Sequence, residues 1–311
     1  MHKWQMRFLT ATVLILQVVQ AAGAETWRLE KGKDWKAVTG QGSDKYLSDV
    51  AEIKRLVNLG KAGEAEKKFV QLKKDFPEIV GRDLDAFMKG EMLFAGGKFV
   101  KAVRSFDEFL AKYPDSELYG AALDREYAIA TAFLAGEKKT VLGIFRIKGY
   151  DEGEKIMEKI SDRAGDAPIA ERAMVAVARS YEKRKKFIEA YHKWSEISYR
   201  WPTGDVGKES LLSMARCKHA AYRGPGYDCS NLVSAKSYYE DFKQRYPSDA
   251  EKLDVDGKLK QIVEQLAYKQ FNIGQYYKRT GSVQPANFYY QMVQDNWPGS
   301  TAAKMVEQEK K

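Results

Sequence analysis

The chain offers few side chains with which to do covalent chemistry. Beyond residue 24 it holds two histidines, His192 and His219, and its only cysteines are Cys217 and Cys229. A nucleophile needs a base within hydrogen-bond reach. His192 follows Tyr191 and His219 follows Lys218, settings that suit a helix surface better than a catalytic dyad. A phosphate-cradling loop pairs its glycines with a lysine and a hydroxyl in register; Gly224-Pro225-Gly226 has neither and reads as a turn. The 43 acids are interleaved with 52 basic residues, as on solvated helix faces, and no carboxylate pair stands apart. The expectation is a non-enzymatic chain with no metal site and no cofactor. The cysteines leave two readings open: a bridge across an inserted turn, contributing about 2–4 kcal/mol in an oxidising compartment, or two free thiols.

With 311 residues, 44% hydrophobic and 31% charged, the chain has ample material for a core. The formal charge is +9; the first 24 residues contribute Lys3 and Arg7 and no acid, leaving 9 − 2 = +7. An excess that small, with both signs mixed, suits acidic partners or anionic lipid headgroups and does not form a nucleic-acid stripe.

The amino terminus reads as a Sec signal peptide. MHKWQMR is basic, FLTATVLILQVV is an apolar run of 12 residues, and Ala22-Gly23-Ala24 supplies the small-x-small pattern, predicting cleavage after Ala24. The run falls short of the roughly 20 residues that span a bilayer. No cysteine lies near the site, so a lipidated amino terminus is not expected. The expected location is the periplasm, with peripheral association with the outer membrane as a further expectation.

The elements that position everything else emerge from five aromatic-proline pairs: Phe76-Pro77, Tyr113-Pro114, Trp201-Pro202, Tyr246-Pro247 and Trp297-Pro298. Twelve residues before each proline stands an alanine: Ala65, Ala102, Ala190, Ala235 and Ala286. Eight before stands an aromatic: Phe69, Phe106, Trp194, Tyr239 and Tyr290. Five before stand Leu72, Phe109, Ile197, Phe242 and Val293. Steps of four, three and four put these positions on one helical stripe, and agreement in five copies marks an internal repeat. Proline ends each helix, because it cannot continue one and disfavours helical geometry at the residue before it. Glycines at 60, 97 and 281 mark a turn upstream, preceded by another amphipathic segment.

Each unit is therefore helix, turn, helix, stop, similar to the tetratricopeptide repeat of about 34 residues. The fold expected is an all-α solenoid of five to six helix-turn-helix pairs, roughly 46–77, 78–114, 115–168, 169–202, 203–247 and 258–298. Insertions are expected at 136–149, which carries the apolar LGIF, and at 223–228, RGPGYD. The domain plan is a signal peptide at 1–24, a flexible arm at 25–45, the solenoid at 46–304 and a charged tail at 305–311.

Two stretches carry a narrower resemblance: KAVRSFDEFLAKYPDSELYGAALDREYAIATAFL, from Lys101, and AYKQFNIGQYYKRTGSVQPANFYYQMVQDNWPGSTAAK, ending at Lys304. With the Tyr113-Pro114-Asp115-Ser116 ending, they resemble the BamD/YfiO family of outer-membrane assembly proteins over about Leu84 to Lys304. Members are tetratricopeptide proteins on the periplasmic face of the outer membrane, and the resemblance implies a scaffold whose partners are assembly subunits or their client segments. An adaptor for envelope division or polysaccharide export is the alternative, and a cell-wall enzyme on a helical scaffold a third reading.

A repeat array presents its first helices as a binding face. The register places Leu84, Phe87, Glu91 and Phe94 there in the second pair, Arg172, Val175 and Arg179 in the fourth, and Tyr268, Phe271 and Gln275 in the last. Apolar ends with a basic middle predict a segment carrying both hydrophobic anchors and acids. Phe87, Val175 and Phe271 could equally belong to the inter-helix core.

Overall fold

The computed structural model describes residues 40–79, 81–141 and 145–309, with the short segments 27–28 and 36–37. The expected signal peptide and its cleavage site at Ala24 lie outside the described residues. Fourteen helices and two short antiparallel ribbons occur among the described residues. The pairs are α1 (Gly40–Asn58) with α2 (Ala62–Asp75), α3 (Arg82–Ala95) with α4 (Phe99–Lys112), and α5 (Tyr119–Leu134) with α6 (Tyr150–Ala164). There follow α7 (Pro168–Lys183) with α8 (Phe187–Arg200) and α9 (Gly204–Ala220) with α10 (Ser230–Arg245). A short α11 (Pro247–Lys252) precedes α12 (Val255–Arg279), which pairs with α13 (Val283–Asn296), and α14 (Thr301–Glu309) closes the described chain.

Boundaries differ from expectation at three places. Helix α1 starts at Gly40, inside the segment expected as an arm, where β1 (Trp27–Arg28) also pairs with β2 (Lys36–Ala37). Helices α11 and α14 fall outside the six pairs, and α14 includes residues expected in the charged tail. The insertion at 136–149 forms a ribbon of β3 (Lys138–Val141) and β4 (Phe145–Lys148); of its LGIF, only Phe145 falls within the described residues.

The chain divides into two compact units, Met1–Ala102 and Val103–Lys311, with the division inside α4. In the first, α1, α2 and α3 meet around Ile53, Leu56, Val57, Ala65 and Leu72. In the second, neighbouring helices pack in sequence order from α5 to α10, and α12 packs on α10, α13 and α14.

The repeat positions form the core. All five alanines are buried, at no more than 2% exposure, which lets a neighbouring helix come close. Phe106, Trp194, Tyr239 and Tyr290 are buried beside them, as are Leu72, Phe109, Ile197, Phe242 and Val293. In every copy the residue before proline donates its N–H to the carbonyl four residues back, as in Trp201 to Ile197 at 2.8 Å and Tyr113 to Phe109 at 2.9 Å. That bond closes the last turn. The pre-proline backbone then swings to φ between −126° and −141° where it caps α2, α8, α10 and α13, so the chain turns away.

The turn inside a pair is equally regular. Gly97 donates to Phe94 and Lys98 to Leu93, both at 2.9 Å, and the same two bonds recur at Gly60-Lys61 and Gly281-Ser282. These glycines have φ of 74°, 68° and 76°, a left-handed conformation that costs glycine little. At the fourth pair the same position is held by Lys185, at φ 60°. Gly136 and Glu137 make the same bonds to Phe133 and Ala132; the Glu137 carbonyl then accepts from Gly149 at 2.8 Å, so the ribbon leaves and re-enters at one point.

One buried charge cluster joins three helices. Arg163 of α6 bonds Asp107 of α4 at 2.6 Å and Glu126 of α5 at 3.2 Å, and Glu126 is fully buried. Arg163 keeps 27% side-chain exposure against 1% for Glu126. Burial, and then the Asp107 charge, push the Glu126 carboxyl up to about 7, outweighing the arginine. The guanidinium, with water within reach and two acids beside it, is held more firmly protonated.

Two predictions follow from this packing. Trp194 lies among Met174, Ala178, Ala190, Ile197 and Met214 with its ring N–H on Glu182; Trp194→Ala is expected to cost about 3–5 kcal/mol in urea unfolding, whereas Tyr199→Ala, at a side chain 90% exposed, should cost under about 0.5 kcal/mol. For Glu126, a carboxyl that binds its proton more tightly folded than unfolded stabilises the fold below about pH 4.5, and that contribution is lost as pH rises through about 7. The stability of the natural chain relative to Glu126→Gln should therefore fall by about 3 kcal/mol across this window; a difference that stays flat would show the carboxylate ionised throughout.

Candidate partner-binding surface

The register residues separate into two groups. In the first unit Leu84, Phe87 and Phe94 pack against the core around Ile53 and Leu56, and Glu91 is buried at 5% exposure. In the second, Val175 at 7% and Phe271 at 8% are core residues, Phe271 stacking on Tyr290 with centroids 5.8 Å apart. Val175 and Phe271 therefore take the core alternative, and Phe87 is half-buried against the core. The surface members are Arg172, Arg179 and Tyr268, with Gln275 half-buried.

The surface arginines do not stand free. Arg172 bonds Asp124 of α5 at 3.2 Å and lies over the Tyr127 ring at 5.1 Å. Arg179 grips Glu209 of α9 with both oxygens engaged, at 2.7 and 2.8 Å. Arg216 of α9 reaches back to Glu182 of α7 at 3.4 Å. Three successive first helices are thus laced on their exposed side by arginine-carboxylate pairs. The basic middle expected from the sequence is matched by acids from adjacent helices. Arg172 and Arg179 keep more than half of their side-chain surface exposed, where such pairs contribute about 0–1 kcal/mol. They can therefore exchange one carboxylate for another at low cost, which suits a surface that takes up acidic segments.

Sequence reasoning missed Asp124, Tyr127, Glu209 and Arg216. These residues sit in the two pairs whose turns carry insertions, where counting back from a proline fails. Their signal was the same first-helix periodicity, read from the helix itself.

The histidines and cysteines make packing and hydrogen-bond contacts. His219 bonds Gln265 of α12 at 2.9 Å, and burial holds its imidazole below the usual range. His192 makes an edge contact with Tyr191, whose hydroxyl pairs with that of Tyr238 at 2.8 Å. Among the described residues no three His, Cys, Asp or Glu side chains converge as a metal site requires, and no helix is long and apolar enough to cross a membrane. Cys217 and Cys229 are free thiols, the former buried with Trp194 and Met214, the latter half-buried against a separate cluster around Leu232. The inserted 223–228 turn is held instead by Lys269, which donates to the Tyr227 carbonyl at 2.6 Å.

The thiols give a direct test. Burial and the nearby Glu182 carboxylate push Cys217 up to about 12, so native alkylation at pH 8 is expected to label Cys229 well ahead of Cys217. Unfolding without reductant should then yield two labels by mass; no uptake would reveal a bridge.

Comparison with known proteins finds one family match. Residues 86–116 match the family model of the tetratricopeptide repeat. No curated protein matches the sequence. Similar solved structures include the C-terminal part of a TPR repeat-containing protein from Cytophaga hutchinsonii, at 15% identity over 85% of this chain and 95% of that one, TM-score 0.38. PilW, a type IV pilus biogenesis factor, is 16% identical over 86% of this chain and 99% of its own, TM-score 0.30. TPR-like repeats of a Podosopora anserina kinesin light chain are 14% identical over 68% and 100%, TM-score 0.35. The chain is an all-α protein of helix-turn-helix pairs in which residues 86–116 are matched as a tetratricopeptide repeat.

Proposed function

We propose that this chain is a non-enzymatic protein-binding scaffold of the cell envelope that acts in outer-membrane protein assembly. The lacing of α5, α7 and α9 by arginine-carboxylate pairs, exchangeable at the exposed Arg172 and Arg179, carries the reading of a binding face. A preformed helical surface of this kind needs no cofactor: a partner segment lays down its own acids beside Arg172 and Arg179 and buries apolar groups along the helices. The envelope location rests on the amino-terminal sequence, with its basic start, apolar run and Ala22-Gly23-Ala24. The assembly role rests on the likeness of Lys101–Leu134 and Ala267–Lys304 to the BamD/YfiO family.

The test is photocrosslinking in intact cells from position 176, between the two arginines on α7, with identification of whatever is attached. The expected product contains a barrel-assembly subunit or an unfolded outer-membrane client. Arg172→Glu with Arg179→Glu should lower its yield roughly tenfold, since like charges now face the incoming acids. Capture of division or polysaccharide-export proteins instead would replace the assembly role with that of an adaptor.

A further inference from the structure

A second charged cluster lies at the insertion between α5 and α6 and at the turn between α7 and α8. The insertion between α5 and α6 contains Lys138, Lys139, Arg146 and Lys148 and no acid between residues 138 and 148. The turn between α7 and α8 contains Lys183, Arg184, Lys185 and Lys186 in succession. These segments lie more than 30 residues apart, yet two tyrosines bring them together. The Arg184 guanidinium sits between the rings of Tyr150 and Tyr181, at 4.5 and 4.7 Å, and is fixed by Glu154. Lys148 also lies over the Tyr150 ring, 5.6 Å from its centroid.

Some of these cations are spent internally: Lys139 on Asp151 and Glu152, Arg184 on Glu154, and Lys186 on Glu189. Lys138, Lys148, Lys183 and Lys185 are exposed, and among the described residues none of them makes an ion pair. Lys138 and Lys148 are direct cross-strand partners in the ribbon, a placement of like charges that destabilises a strand pair.

The backbone supplies an independent observation. Lys185 occupies the left-handed turn position that Gly60, Gly97 and Gly281 fill in other pairs, 17 residues before the repeat proline in every case. A side chain there is strained. A lysine stands where glycine would fold better, and two like-charged lysines face each other in the ribbon; both placements cost the fold, and a ligand for the cluster would account for them.

We propose that the ribbon base and the α7–α8 turn form a docking surface for an anionic phospholipid bilayer. Among the described residues Lys138, Lys148, Lys183 and Lys185 are exposed on the outside of the fold, point charges on flexible stems that fit an extended sheet of phosphates better than one shaped anion. Ile147, 48% exposed in the same ribbon, adds an apolar contact beside the charges. Basic residues at such a surface strengthen partition by about fivefold each at low ionic strength.

The test is co-sedimentation of the full chain with vesicles of phosphatidylcholine alone or mixed with phosphatidylglycerol. The natural chain should sediment with the anionic vesicles only and be released by salt. Lys138→Gln, Lys148→Gln, Lys183→Gln and Lys185→Gly together should abolish sedimentation, while the charge-matched control Lys54→Gln, Lys67→Gln, Lys74→Gln and Lys101→Gln, at four exposed lysines elsewhere, keeps it. Lys185→Gly alone separates binding from folding: Tm should rise while partition falls about fivefold. Equal sedimentation with neutral vesicles, sedimentation with neither, or an unchanged four-lysine variant would overturn the proposal, as would lysine-dependent binding of polyglutamate in place of vesicles.

Discussion

The bond that closes each second helix is the constraint on which the rest depends. An aromatic residue donates its N–H four residues back, and the proline after it forbids another turn. Helix length is thereby set from the carboxyl end in every copy, and so is the place of the alanine that admits the neighbouring helix. Were the stop to drift by one residue, the buried stripe would rotate by about 100° and the aromatic at the eighth position would leave the core. Trp194 shows how much rides on that register, since it is fully buried and its ring nitrogen is satisfied by Glu182 from the facing helix.

Charge is handled differently inside and outside. In the interior, Arg163 serves two acids, and the more deeply placed of them, Glu126, holds its proton to near-neutral pH because desolvation exceeds what one guanidinium returns. On the outside, Arg172 and Arg179 pair in water, where partners can be traded. The same residue types thus make a fixed junction in one place and an adaptable surface in another, and exposure decides which.

Much of the architecture was legible because the repeat is written in four registers across five copies. Ala190, Trp194, Ile197 and Trp201 name the helix, its buried stripe and its end. What could not be read falls where periodicity lapses. The ribbon at 138–148 offers one short run of alternating residues, too little to distinguish a strand pair from a loop. Helix α1 starts at Gly40, with Gly42 close behind, and glycine is a poor helix former. The candidate surface was half legible: Arg172, Arg179 and Tyr268 were reached by counting, yet Val175 and Phe271, on the same register line, are buried because neighbouring helices close over them. Periodicity reports the side of a helix, whereas exposure depends on what packs next to it.

The closure of the ribbon at Glu137 and Gly149 has a consequence for how such a chain can change. Because both ends of the insert meet at one backbone bond, while α5 is already capped by Gly136 and Glu137, the spacing of α5 and α6 does not depend on what lies between. The turn acts as a port into which an insert can be fitted, with Gly149 held by the Phe133 ring against any side chain of its own. Evolution, or an engineer, can exchange the hairpin for a peptide of another length without renegotiating the helices that carry it.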